Sequence, residues 1–204
     1  MEIGLRQVSI DDIEKLISEE EVIQNCLIKD QILENLDKKI FISNCVVENV
    51  TFLSCNLYEA DFYKTKFVHC DMSNLYIPNA AINNCIFENC KMIGVNISES
   101  SLNEVQLDNV IGGYMNATGA IIKKCTFTKS DFKNAFFNNC DLKKNILEQC
   151  NLKKAWFNGV MLRGVDFSTC DIEGINVGVK EIQGMKVSTA QAVELIRLLG
   201  VEIV

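Results

Sequence analysis

The sequence predicts a solenoid, a stack of short repeats closed around one continuous apolar core. Three observations predict it. From Ile42 to Val187, every fifth residue is large and apolar at 28 of 30 positions, the exceptions being Gly112 and Ala117. Nine of the ten cysteines, from Cys45 to Cys170, share one five-residue phase, and only Cys26 falls outside it. A period of five fits neither a helix at 3.6 nor a strand at 2. The unit is therefore a short piece that buries its apolar residues only when copies stack.

Two residues before each apolar centre the chain prefers Cys, Ala, Val, Ser or Thr. Between the two stands Asp or Asn, as at Asn56, Asp61, Asp71, Asn96, Asn116, Asp131, Asp141, Asn151, Asp166, Asp171 and Asn176. ADFYK, CDMSN, SDFKN, CDLKK and CNLKK are plain copies of one motif. Over residues 40 to 187 this pattern resembles the pentapeptide-repeat family, whose unit is A(D/N)LXX. The resemblance implies an all-β solenoid, a right-handed, quadrilateral parallel β-helix with four units per coil. In that fold the centre and the small residue two before it point inward, and the other three face out. Residues 20 apart then stack in columns spaced by about 4.8 Å, the strand separation.

Taken in order, residues 1–21 form an N-terminal helical cap. Ser9 is placed as an N-cap, acidic residues follow it, and Ile10, Ile13, Leu16 and Ile17 keep helical spacing, so a short helix is expected near 9–19. The repeat body is expected over 22–187. Leu27 and Ile32 hold the phase but Asp37 breaks it, so an irregular first coil is expected. Beyond it, Val47, Phe67, Phe87, Leu107, Phe127, Leu147, Phe167 and Val187 form one bulky column, whose stacked rings add aromatic contacts to burial. The segment IGGYMNATGA, residues 111–120, underfills the core, which predicts a local distortion or narrowing with flexibility at Gly112–Gly113. In residues 188–204, Ser188 and Thr189 cap a helix, Ala192, Leu195, Ile196 and Leu199 share a face, and Gly200 ends it. Such a helix covers the open edge of the last coil. The resemblance implies a head-to-head homodimer through this segment, with Leu195, Ile196, Leu199, Val201 and Ile203 as candidate contacts.

The chain offers little chemistry. No catalytic, metal or cofactor residue is expected. There is no CxxC pair, the one histidine is His69, and neither a phosphate-binding loop nor a dinucleotide fingerprint appears. The repeated Asp and Asn read as turn hydrogen-bonding residues. No run approaches the length of a membrane span, and the start lacks the pattern of a signal peptide, so the protein is expected to be cytoplasmic with reduced, core-forming cysteines. Stacking nevertheless leaves Cys70/Cys90 and Cys150/Cys170 within disulfide reach.

The surface is more informative. The net charge of −7 divides into −10 over residues 1–113, +5 over 114–170 and −2 over 171–204. On the coil geometry Lys123, Lys143 and Arg163 stack, with Lys124 and Lys144 beside them and Lys133, Lys153 and Lys154 opposite. Glu48, Glu88, Asp108 and Glu148 share a column. Phe136 and Trp156 stand outward where Asp or Asn is usual, with Tyr76 on the same column, and Ile121, Ile146 and Met161 face out as well. Exposed apolar residues point to a protein partner. The expected function is a non-enzymatic binding or scaffold protein presenting a rod surface to a cytosolic protein. An alternative comes from the resemblance: some members mimic DNA and bind DNA gyrase or topoisomerase IV, a type II topoisomerase, protecting against quinolones. A further alternative is an anionic partner on the lysine columns, although overall acidity argues against nucleic acid.

Overall fold

The computed structural model describes residues 5–19, 22–142 and 144–201; Lys143 and Ile203 lie outside the described residues. The chain winds as a four-sided parallel β-helix. Face 1 carries an eight-stranded parallel sheet, which begins at Arg6–Gln7 and Cys26–Lys29 and ends at Thr126–Thr128 and Ile146–Glu148. Face 4 carries a six-stranded parallel sheet from Ile23–Gln24 to Ile121–Lys123. Faces 2 and 3, centred on the columns of Phe52 and Leu57, are joined mainly by single parallel bridges such as Asp71↔Lys91 and Asn116↔Phe136. The centres and the small residues two before them fill one continuous core. Phe67 and Phe87 stack in it at 4.8 Å, and Phe137 and Phe157 at 5.1 Å.

The first coil is one residue short, although its strands pair in parallel with those of the next coil. Ile23 pairs with Ile42, Ile28 with Val47 and Asp37 with Asn56, whereas Phe41 pairs with Asp61. One residue is therefore missing at the corner between Asp37 and Phe41, and everything before it is shifted by one. The centres of this coil are Ile28 and Leu33, both buried, while Ile32 is exposed. The same shift brings Cys26 into register with the other cysteines. Its sulfur lies 3.4 Å from that of Cys45.

Each corner is turned by the residue two after the centre. Every fifth residue from Asn44 to Gly164 has positive φ, between 47° and 62° at the non-glycine positions. Asn and Gly tolerate this left-handed backbone best, which explains why they recur there. The Asp or Asn before the centre serves the next bend: Asp71, Asn96, Asn116, Asp131, Asn151, Asp166 and Asp171 each accept from the N–H two residues on. Many corners of faces 2 and 3 close with a turn bond, as from Leu75 N–H to the Met72 carbonyl at 3.0 Å. At wider corners the N–H of the small residue is taken by a polar side chain one coil on. Ser100 Oγ accepts from Ala80, Ser130 Oγ from Val110 and Asn145 Oδ1 from Cys125. That is why these polar residues are tolerated in the core.

Gly112 and Gly113 do not distort the coil. Gly112 N–H donates to the Asp131 carbonyl at 2.7 Å, and Gly94 N–H to the Gly113 carbonyl at 2.9 Å, as at regular positions. The ring of Phe132 leans into the space Gly112 vacates, so a Cβ there would come within 2.8 Å of it. A large side chain in the next coil replaces the missing bulk.

The coil stack parts at one place. Ile121 bridges to Asp141, Thr126 to Ile146 and Asp166 to Lys186, but among the described residues no backbone bridge or hydrogen bond joins 141–149 to 161–169. Gln149 N–H instead donates to Thr169 Oγ1 at 3.2 Å. Leu147 is only partly buried, and a Cβ on Gly164 would meet nothing within 4 Å. Faces 2 and 3 remain joined across the same interval through Asn151↔Asp171 and Trp156↔Asn176.

Both ends are capped. Helix α1, Ile10–Ser18, has a capping box between Ser9 and Asp12 and buries Ile13 and Ile17. Helix α2, Thr189–Leu195, has the same device between Ser188 and Gln191 and runs into a 3₁₀ turn, Ile196–Leu199, closed by left-handed Gly200. Gln191 Nε2 also donates to the carbonyls of Phe167 and Cys170 at 2.9 and 2.7 Å, satisfying edge groups that no further coil covers.

Candidate protein-interaction surface

Face 3 carries the aromatic feature. Its first outward column reads Asn56, Tyr76, Asn96, Asn116, Phe136, Trp156 and Asn176, fixed by successive bridges. Phe136 and Trp156 stack with ring centroids 6.1 Å apart, and Trp156 is 39% exposed. Tyr76 shares the column but stands three coils away, with Asn96 and Asn116 between, so it does not join the pair.

The rings displace a local hydrogen bond. On neighbouring coils Asn96 and Asn116 accept from Ser98 and Thr118, and an aromatic ring cannot. At Trp156 the acceptor is replaced from the preceding coil: Asn138 Oδ1 accepts from Asn158 N–H at 3.0 Å. The coil before Phe136 adds Ile111 and Tyr114, both exposed, at the adjoining edge of face 2. Ile121 and Met161 lie on face 4 and Ile146 on face 1, so these exposed residues form a separate zone.

The charged columns are present but weaker than their sequence spacing suggests. On face 1, Glu48 pairs with Val68, Val68 with Glu88, Glu88 with Asp108, Asp108 with Thr128 and Thr128 with Glu148. Val68 and Thr128 interrupt the acidic run. Lys29 lies 2.6 Å from Glu48 and Lys66 lies 2.8 Å from Glu88, while Asp108 accepts from Thr128 Oγ1 at 2.6 Å. On face 4, Lys123 and Arg163 are exposed two coils apart, and Lys143 lies outside the described residues. Lys124 is paired with Glu104, and Lys153 with Asp171 and Glu173. These partners raise the pKa of both lysines above the ordinary value, first through their side-chain hydrogen bonds.

At the C-terminal end, Leu195 is buried against the last coil and serves the cap rather than an outer contact. Ile196, Leu199 and Val201 are exposed, and Val193 and Leu198 join them, two residues the helical-face reading did not include. Among the described residues no group of three or more His, Cys, Asp or Glu side chains is placed to hold a metal ion. His69 stands exposed on a left-handed corner with φ 54°. No helix among the described residues is long and apolar enough to cross a membrane.

Two family profiles match: "Pentapeptide repeats (8 copies)" over residues 42–74 and "Pentapeptide repeat region" over residues 60–137. No curated protein matches the chain. Among solved structures it is similar to a trypsin-treated form of QnrB1, a plasmid-mediated fluoroquinolone resistance protein, at 17% identity and TM-score 0.43, covering 86% of this chain and 100% of that one. It is also similar to HetL from the cyanobacterium Nostoc sp. strain PCC 7120, a pentapeptide repeat protein involved in heterocyst differentiation regulation. There the identity is 11% and the TM-score 0.38, over 89% of this chain and 95% of that one. A third is the pentapeptide repeat protein Rfr23 from the cyanobacterium Cyanothece 51142, at 9% identity and TM-score 0.26, over 88% and 100%. The five-residue phase and the four-sided coil continue on both sides of the span the profiles match, and the chain is a pentapeptide-repeat protein.

Proposed function

We propose that this chain is a non-enzymatic binding protein that presents one side of its rod to a protein partner. The contact is centred on Phe136 and Trp156 and flanked by Ile111 and Tyr114. The observation that carries the reading is the stacked, solvent-facing pair itself. Two large rings occupy positions where neighbouring coils carry a hydrogen-bond acceptor, and Asn138 compensates for the loss at Trp156. Stacked aromatics at the centre of a patch are the residue types that dominate protein contacts. The test compares Trp156→Ala, Phe136→Ala and wild type in quantitative affinity capture, with far-UV circular dichroism to confirm the fold. A partner held by wild type and lost by both variants supports the reading. Equal capture by all three overturns it.

The charge distribution favours a second reading, mimicry of DNA toward DNA gyrase or topoisomerase IV, because residues 1–113 carry −10. The ion pairs at Glu48 and Glu88 weaken the acidic column it would use. Inhibition of gyrase supercoiling, abolished by charge reversal at Glu88 and Asp108, would support mimicry; no effect at tens of micromolar would overturn it. The exposed Ile196, Leu198, Leu199 and Val201 support self-association through the C-terminal cap.

A further inference from the structure

Eight of the ten thiols, those of Cys45, Cys55, Cys70, Cys85, Cys90, Cys125, Cys140 and Cys150, donate to main-chain carbonyls. The register is constant: a thiol reaches the carbonyl 22 or 23 residues back and often the one two back, as Cys150 does with Phe127 and Glu148. By that register Cys170 would reach Leu147 and Ser168. Leu147, however, lies on the strand from which residues 161–169 have parted, and the Cys170 thiol has neither bond. It lies instead at the end of the rod, beside a cavity of 440 Å³ lined by Thr169, Cys170, Asp171, Glu173, Gln191 and Glu194 among others.

Cys150 stands directly beneath. Asn151 bridges to Asp171, and Asp171 N–H donates to the Cys150 carbonyl at 2.8 Å, so both side chains project inward from adjacent coils. The coils are about 4.8 Å apart, inside the roughly 4.4–6.8 Å Cα separation that a disulfide spans. We propose that Cys170 and Cys150 form a redox site, in which a neutral hydroperoxide oxidises Cys170 and Cys150 then closes a disulfide between the last two coils.

The two sulfurs are suited to different roles. The neighbouring Cys150 draws the Cys170 thiol down to about 7 against the effect of burial, and Thr169 adds to it. The same juxtaposition pushes Cys150 up. Cys170 is thus the thiolate and Cys150 the thiol that follows. The thiolate attacks the terminal oxygen of ROOH; the S–O bond forms, the O–O bond breaks, and ROH leaves with a solvent proton. The Cys150 sulfur then attacks the Cys170 sulfenic acid; the S–S bond forms, the S–O bond breaks, and the Cys150 proton leaves with hydroxide as water. Two thiols lose two electrons, and the hydroperoxide is reduced to ROH and water. The charged side chains lining the cavity, Asp171, Glu173 and Glu194, are acidic, and Lys153, paired with the first two, offsets one of the three charges; the remainder favours a neutral oxidant over an anionic disulfide such as oxidised glutathione.

Cys70 and Cys90 supply an internal control. They stack in the same column, with Lys91 N–H on the Cys70 carbonyl at 2.9 Å, but each is only 1% exposed in the middle of the rod, against 7% for Cys170 at its end. The experiment treats the reduced full chain with hydrogen peroxide and maps cross-links by differential alkylation and peptide mass spectrometry. The Cys150–Cys170 link is expected first, about ten-fold faster than Cys70–Cys90: in both pairs one thiol is lowered by the other, so access at the open end of the rod decides the order. Cys150→Ala is expected to leave a sulfenic acid at Cys170 that dimedone traps, and Cys170→Ala to abolish both products. Alanine fills the equivalent small inward position of the unit at Ala60, Ala80 and Ala120, on the opposite corner of the coil, so both variants suit the repeat; should either fail to fold, the wild-type order of cross-links decides alone. Uniform oxidation, or an earlier link at Cys26–Cys45 or Cys70–Cys90, would overturn the site. Faster reaction with oxidised glutathione than with peroxide would overturn the oxidant class.

Discussion

At the residue scale, each position of the five-residue unit answers one physical demand, and the sequence shows some demands more plainly than others. The apolar centre and the small residue before it are legible because burial selects by size. The left-handed corner is less so: Asn and Gly mark it, but Lys129 has φ 48° and Tyr114 has φ 60°, residues that carry no turn signal. Left-handed backbone costs an ordinary residue about 1–2 kcal/mol. Replacing exposed Lys129 by Gly should therefore raise the thermal midpoint by a few degrees, since about 1 kcal/mol corresponds to roughly 2–4 °C in a chain of this size. Calorimetry checks this, and a lower midpoint would show that loss of the side chain outweighs relief of the corner. Gly112 makes the opposite case. Read alone it is a packing defect, because nothing in a one-dimensional pattern says that Phe132 will lean into the gap. Gly112→Ala should cost about 1–3 kcal/mol through overpacking. Phe132→Leu in the same chain should recover part of that loss, a coupling measurable in a double-mutant cycle by urea denaturation.

At the scale of elements, the two helices were legible to within a residue because a capping box is a local signature: Ser9 with Asp12, and Ser188 with Gln191. The first coil was misread for an equally local reason. One missing residue between Asp37 and Phe41 moves every earlier inward side chain by one, so Leu27 and Ile32 kept the phase while Ile28 and Leu33 filled the core. The parting of residues 141–149 from 161–169 had no sequence signal beyond Asn145, which stands where the unit prefers a small residue. It should be visible in hydrogen exchange. The amides of Leu142 and Leu147 should exchange faster than those of Leu102 and Leu107 two coils earlier, whose strands are paired on both sides. Equal protection would show the ladder closed in solution.

The caps and corners also set the acid limit of these elements. The Asp12 carboxyl is held below its usual range by the Ser9 N–H and then the Ser9 hydroxyl, and Asp166 by its hydrogen bonds from Ser168. A carboxyl with a depressed folded-state pKa contributes stability above its unfolded value, about 3.9 for Asp, and loses it as pH falls through the folded value. The melting temperature should therefore be level between pH 7 and 5 and decline only below about pH 4. A decline already at pH 6 would place the sensitivity in some other group.

At the scale of the whole molecule, the surface charge was legible as composition but not as pairing. The salt bridges Lys29–Glu48, Lys39–Glu59, Lys66–Glu88, Lys91–Asp71 and Lys124–Glu104 each join adjacent coils, a relation that spacing by about one coil allows but cannot assign. Such exposed pairs contribute little individually, so the rod stands on its core and ladder, and apolar surface remains on its C-terminal end as well as on its sides. Leu195 is consumed by the last coil, whereas Ile196, Leu198, Leu199 and Val201 project from the cap and are exposed among the described residues. A solenoid needs both ends covered, and a second copy meeting this cap would bury those four residues in one step. The expected species is thus a homodimer of about twice 22.9 kDa. Leu199→Glu, which places a charge on an exposed position of the cap and leaves the core intact, should shift it to monomer in sedimentation equilibrium. Phe136→Ala, on face 3, should leave the mass unchanged. A wild-type chain that sediments as a monomer at micromolar concentration would remove the C-terminal interface and leave those side chains to another partner.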